Sequence, residues 1–176
     1  MTTAELLDSF EYNRWAHERI LDSAAALGSG QFDAPLGGSF PSLRATLGHL
    51  LAVEVVWLSR WQGHSLGQTP NFDGCRDAQA LRSIWLSFWD RQFSFLRDLM
   101  DEDLGQLIAI RTRAGIEAVQ PLRDTLVHVL HHSSYHRGQA AAQIRMLGGN
   151  PPATDYFIYC IGRNSGEFRT LAAPEG

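Results

Sequence analysis

The stretch LRATLGHLLAVEVVWLSRW, residues 43 to 61, limits what this chain can fold into more than any other. Wound as a helix, it places Leu43, Leu47, Leu50, Leu51, Val53, Val55, Val56, Trp57 and Leu58 on most of its sides. A helix that is apolar nearly all round belongs in an interior, so other helices must cover it. Thr46, His49 and Glu54 break that surface, and a polar group carried into an interior needs a partner.

The covering helices are legible on either side. Thr2-x-x-Glu5 is a capping box, followed by Leu6, Phe10, Ile20, Leu21 and Leu27, with a stop at residues 28–30. A Gly/Pro-rich loop then leads to Ser39 or Ser42 as cap of the interior helix. A third helix is predicted from near Asp77, carrying Leu81, Trp85, Phe88, Trp89, Phe93, Leu96 and Leu99 to the acidic residues 101–103. Two short runs flanking Arg113-Ala114-Gly115 predict a small hairpin. The last long helix is predicted over Pro121–Leu147, with Pro121 in its first turn and Gly148-Gly149 closing it. The apolar segment DYFIYCIG is expected to pack back on the bundle. The fold class expected is therefore all-α, a four-helix bundle with a small β-hairpin before the last long helix. Its topology is up-and-down or crossover, and residues 1–176 form a single domain.

Composition excludes several functions. All 15 basic residues are arginine, so Schiff-base and P-loop lysine chemistry are impossible. The net charge of −4 and the lack of any basic run argue against nucleic acid and membrane surfaces as partners. No apolar run reaches the ~18 residues of a bilayer span, and the N-terminus lacks the pattern of a signal peptide. Cys75 and Cys160 form no C-x-x-C pair, which suits a reducing, cytoplasmic setting.

Chemistry concentrates in HVLHHSSYHRGQ, residues 128–139. His132 and His136 stand four apart, one turn above the other on a single helix face. The same stripe collects Thr125, His128, Gln139 and Gln143, beside an apolar stripe of Leu126, Val129, Ala140 and Ile144. A polar stripe abutting the core needs satisfaction, and a metal ion would supply it. Two histidines are too few for a catalytic-type site, which takes three protein ligands and an open position. The best third candidate is His49; His17 and His64 fit less well. His131 points away and reads as a packing or surface histidine, and Arg137 as structural. No H-E-x-x-H, E-x-x-H or glycine-rich nucleotide motif occurs.

HVLHHSSYHRGQ resembles the H-x-x-x-H-R-G-Q signature on the last long helix of the DinB/YfiT-like family, and SFPSLRATLGHLLAVEVVWL resembles that family's second helix. The resemblance covers almost the whole chain. It implies a DinB-type bundle, often a homodimer, holding one divalent metal, zinc or nickel, through His49, His132 and His136. His131 departs from the asparagine found in many members, which reads as tuning near the site.

Family members with known activity are metal-dependent transferases using low-molecular-weight thiols such as bacillithiol or mycothiol, and a thiol-dependent maleylpyruvate isomerase. The resemblance thus implies a small-molecule substrate and a metal-dependent thiol S-transferase, since a cation lowers a thiol's pKa. The alternatives are a metal-dependent hydrolase that activates water, or a non-catalytic, stress-associated metal-binding bundle. Helix spacing offers further residues around the ligands. His128, paired at i, i+4 with Asp124, would orient a ligand or accept a proton, and Gln139 would stand behind the metal as a second tentative catalytic group. Tyr135 would line the pocket, and Gly138 would let a backbone or ligand approach.

Overall fold

A computed structural model describes residues 1–28, 30–64, 68–111, 115 and 117–165. Helix α1 (Thr3–Ala25) starts from the expected capping box: Thr2 Oγ1 accepts from the Glu5 amide at 3.2 Å, and the Glu5 carboxylate accepts from the Thr2 amide at 2.8 Å. Helix α2 (Leu43–Trp61) is capped by Ser42, the nearer of the two candidates, which accepts from Ala45 N. Asp77 does the same for α3 (Ala78–Asp98) at 2.7 Å. Strands β1 (Leu107–Arg111) and β2 (Glu117–Pro121) pair antiparallel, Leu107 opposite Pro121 and Arg111 opposite Glu117. Of the expected hairpin turn, Arg113 and Ala114 lie outside the described residues.

Helix α4 (Leu122–Met146) begins one residue later than the sequence suggests. Pro121 is still extended, with ψ at 142°, because the chain leaves β2 straight and Leu122 N donates to Gln106 O across the hairpin's base. The closing apolar segment is a fifth helix, α5 (Tyr156–Ser165). It does pack back: Tyr159 is buried against Tyr12 and Trp15 of α1, ring centroids 5.6 and 5.5 Å apart, and Arg163 pairs with Asp8.

The four long helices form a ring in the order α1, α3, α2, α4. Side-chain pairs give the directions. Asp22 meets Arg82 while Thr3 meets Asp101, so α1 and α3 are antiparallel. Glu54 meets Gln92 while Trp61 stacks on Phe95, so α2 and α3 are parallel neighbours. Of the two topologies the sequence left open, this is the crossover one. The chain between two parallel neighbours must travel back along the bundle. The segment that does so carries Phe72 to 3.6 Å from where a Cβ on Gly48 of α2 would lie.

The end of α4 closes as two glycines dictate. Gly149 N donates to Ile144 O and Gly148 N to Arg145 O, the paired bonds of a Schellman motif, with Gly148 at φ 82°. A Cβ on Gly149 would lie 2.7 Å from Leu27 Cδ2 and 2.9 Å from Ile144 Cγ2. Gly149→Ala should therefore cost about 1–3 kcal/mol through overpacking, and Gly148→Ala roughly 1–2 kcal/mol through its left-handed backbone. Urea unfolding checks both, and midpoints equal to the parent's would contradict this account of the helix end.

Candidate metal centre

The fold brings together one histidine of α2 and two of α4. His132 and His136 rise one turn apart with ring centroids 4.4 Å apart, and His49 faces them at 5.2 and 4.7 Å. One ring nitrogen of each falls within 4.8 Å of the others, a grouping that could hold a metal ion. His49 Nε2 and His132 Nε2 are 3.3 Å apart. Metal–nitrogen bonds of about 2.0–2.1 Å arranged as a tetrahedron span edges of about 3.3–3.4 Å, so the spacing suits two ligands of one ion.

Protonation agrees with that geometry. Burial, then the neighbouring His136 and His49, push His132 down to about 4, so its imidazole is neutral with a lone pair at neutral pH. His136 Nδ1 donates to Gln139 Oε1 at 2.7 Å, which leaves the Nε2 lone pair for the cluster; the tautomer follows from that bond. The other nitrogen of His132, Nδ1, is buried with no hydrogen-bond partner among the described residues. With Nδ1 enclosed, Nε2 is the His132 nitrogen that faces His49. Phe40 packs against His49 and His136 at 4.7 and 5.5 Å and covers one side.

The other singled-out residues fall at the rim or outside. His128 is exposed, its ring 5.3 Å from Trp57 and 6.0 Å from His132. The expected Asp124–His128 pair does not form, because Asp124 accepts from its exposed neighbour Arg123 instead. His131 is exposed, and its charge lowers the pKa of His128. Tyr135 is 65% exposed, edge-on to His136 at 5.1 Å. Among the described residues nothing approaches within 4 Å of where a Cβ on Gly138 would lie. His64 is exposed in a loop.

His17 has a different role, which sequence reasoning did not find. It is buried and its Nε2 donates to Glu54 Oε1 at 2.9 Å. Glu54, wholly buried, also accepts from Asn13 Nδ2 at 3.1 Å, Ser133 Oγ at 2.8 Å and Gln92 Nε2 at 3.0 Å. Burial pushes this carboxyl up, but the bonds from His17, Ser133 and Gln92 outweigh it and hold the group below the ordinary carboxylate range. Burial depresses His17 as well, so the pair reads as a neutral imidazole donating to a carboxylate. Arg137 is structural, as expected, but buried: it donates to Asn13 Oδ1 and Ser134 Oγ and lies over the Tyr12 ring. The available signal was Glu54 itself, a carboxylate on an otherwise apolar helix.

His49 also lines a cavity of about 280 Å³, open on one side and walled by the crossover segment at Thr69–Asp73. The one carboxylate lining it among the described residues, Asp73, is bonded to Arg44 at 2.8 Å, which with Asn71 keeps it below its usual range.

Residues 1–164 match the DinB family. The chain belongs to that family. It is 24% identical over 157 residues to Protein DinB of Bacillus subtilis (strain 168), covering 85% of this chain and 90% of the relative. A crystal structure of a DinB-like protein from Bacillus cereus superimposes with a TM-score of 0.67 at 20% identity, over 86% of this chain and 97% of that one. The overall fold is thus shared with that solved structure.

In this DinB chain, His132→Ala and His136→Ala should each abolish tight metal binding, whereas His131→Ala leaves it intact, by calorimetric titration of the metal-free protein. Loss of binding in His131→Ala with retention in His132→Ala would overturn this assignment. Without metal, stability should fall as pH drops from about 6.5 toward 4, because unfolded histidines take up protons that His17, His128 and His132 resist when folded. Urea midpoints at pH 7 and pH 5 measure this, and equal midpoints would contradict it.

Proposed function

We propose that this DinB protein is a metal-dependent enzyme that uses a low-molecular-weight thiol for S-transfer to a small electrophile. The observation that carries the reading is the meeting of three histidines between α2 and α4, one of which, His49, also lines an open cavity, with no available carboxylate beside them among the described residues. Three neutral imidazole ligands leave an ion its full charge and an open position. A divalent ion held there would supply the electrostatic pull that turns a thiol into a thiolate near neutral pH. Imidazole ligation suits zinc and nickel alike.

The chain's own residues do the rest. Gln139 fixes the His136 ring by accepting from Nδ1, and Phe40 keeps solvent off one side of the cluster. His128, tilted against Trp57 at the rim and held below its ordinary pKa by partial burial, is neutral and able to take the proton a thiol releases. Hydrolysis is the second reading, since an ion held by three imidazoles would activate water as well as a thiol. Neither nearby carboxylate serves it as a base, because Glu54 is enclosed by four donors and Asp73 is spent on Arg44.

The test is a conjugation screen of zinc-loaded protein with bacillithiol, mycothiol or a simple thiol against small electrophiles. Metal-dependent loss of free thiol is expected, reduced about 10²–10⁴-fold in His128→Ala if that residue moves the proton. Hydrolysis of an ester or amide without thiol, and no conjugation, would overturn the proposal.

A further inference from the structure

Helices α2 and α4 meet along a seam fastened by three buried side-chain bonds. Thr46 Oγ1 donates to Gln143 Oε1 at 2.7 Å, Ser133 Oγ to Glu54 Oε1 at 2.8 Å, and Trp61 Nε1 to Thr125 Oγ1 at 3.0 Å. Residue numbers rise from 46 to 61 on α2 as they fall from 143 to 125 on α4, so the bonds lie in order along one antiparallel register. His49 and His136 sit in this seam between the first fastening and the second, and His132 lies immediately past the second. Ser133 stands between the two α4 ligands in sequence, wholly buried, and its hydroxyl points at Glu54. Turning α4 about its axis would break this bond and carry both imidazoles away from His49, since neighbouring helix positions are separated by a fixed ~100°.

We infer that Glu54 is a positioning residue of the metal site, holding α4 through Ser133 in the rotation that presents His132 and His136 to His49. Glu54 suits that task because it does not swing. His17 and Asn13 of α1 and Gln92 of α3 hold its two oxygens, so Ser133 is referenced to all the other helices of the bundle at once. Asn13 passes the constraint on, accepting from Arg137, which lies one residue beyond His136. Both ligand positions on α4 thus have a neighbour tied into the same carboxylate network. This inference rests on the reading that the three histidines hold a metal.

Cobalt(II) is the probe, added to metal-free protein and followed by chelator competition and by its visible spectrum. Ser133→Ala and Glu54→Gln should each weaken binding about 10–100-fold, as loss of groups that orient ligands does elsewhere, and should shift the visible bands. Thr125→Ala removes the third fastening, far along the seam from the ligands. It should lower the thermal midpoint and leave affinity and spectrum unchanged. If Glu54→Gln does not fold, Ser133→Ala decides alone. Folded Ser133→Ala binding cobalt with the parent's affinity and spectrum overturns the inference, as does an equal loss in Thr125→Ala. A parent that takes up no cobalt instead overturns the metal reading on which this one stands, a separate and recognisable failure.

Discussion

A carboxylate survives at the centre of a helical bundle only when the helices around it supply proton donors. Glu54 meets this condition with Asn13 and His17 from α1, Gln92 from α3 and Ser133 from α4. An isolated buried charge is costly, and removing one partner of such a group costs more than the bond itself would suggest. The four helices are therefore constrained in rotation and height at one level of the bundle. The apolar core of Leu, Phe and Trp side chains stabilises the assembly but does not by itself choose one rotation of a helix over another. The polar centre makes that choice, and the histidine cluster lies beside it.

From this follows a division of labour along α2. Its apolar sides make it the interior helix, and its few polar groups each serve a contact: Thr46 and Glu54 fasten α4, and His49 faces the two histidines there. On α4 the inward stripe divides likewise. Thr125, Ser133 and Gln143 fasten the seam, while His132 and His136 project from it. The open side is left to the crossover segment and to Phe40, which shape the approach to His49.

Much of this was legible in the chain because it is local. Caps at Thr2, Ser42 and Asp77, the glycines closing α4 and the i, i+4 histidines are written in neighbouring residues, and helix geometry converts each spacing into a face. What meets across helices is not written that way. Nothing near Glu54 in sequence announces Asn13, Gln92 or Ser133. The Asp124–His128 pair failed for the converse reason: spacing permitted it, but Arg123 offered Asp124 a nearer charge. The crossover topology, too, depended on which helices run parallel, a relation that hydrophobic pattern does not carry. His49 was reached from both sides, as a polar break in an apolar helix and through the family's second-helix pattern.

The central claim is that His49, His132 and His136 hold a single divalent ion between α2 and α4. A crystal structure of the zinc-reconstituted protein, with anomalous data collected on both sides of the zinc absorption edge, tests it most directly. The account predicts one strong anomalous peak per chain, about 2.0–2.1 Å from a nitrogen of each of the three imidazoles, with a fourth position open to solvent or ligand. A peak held instead by rim residues such as His128 and His131, or no peak between the three rings, would contradict it.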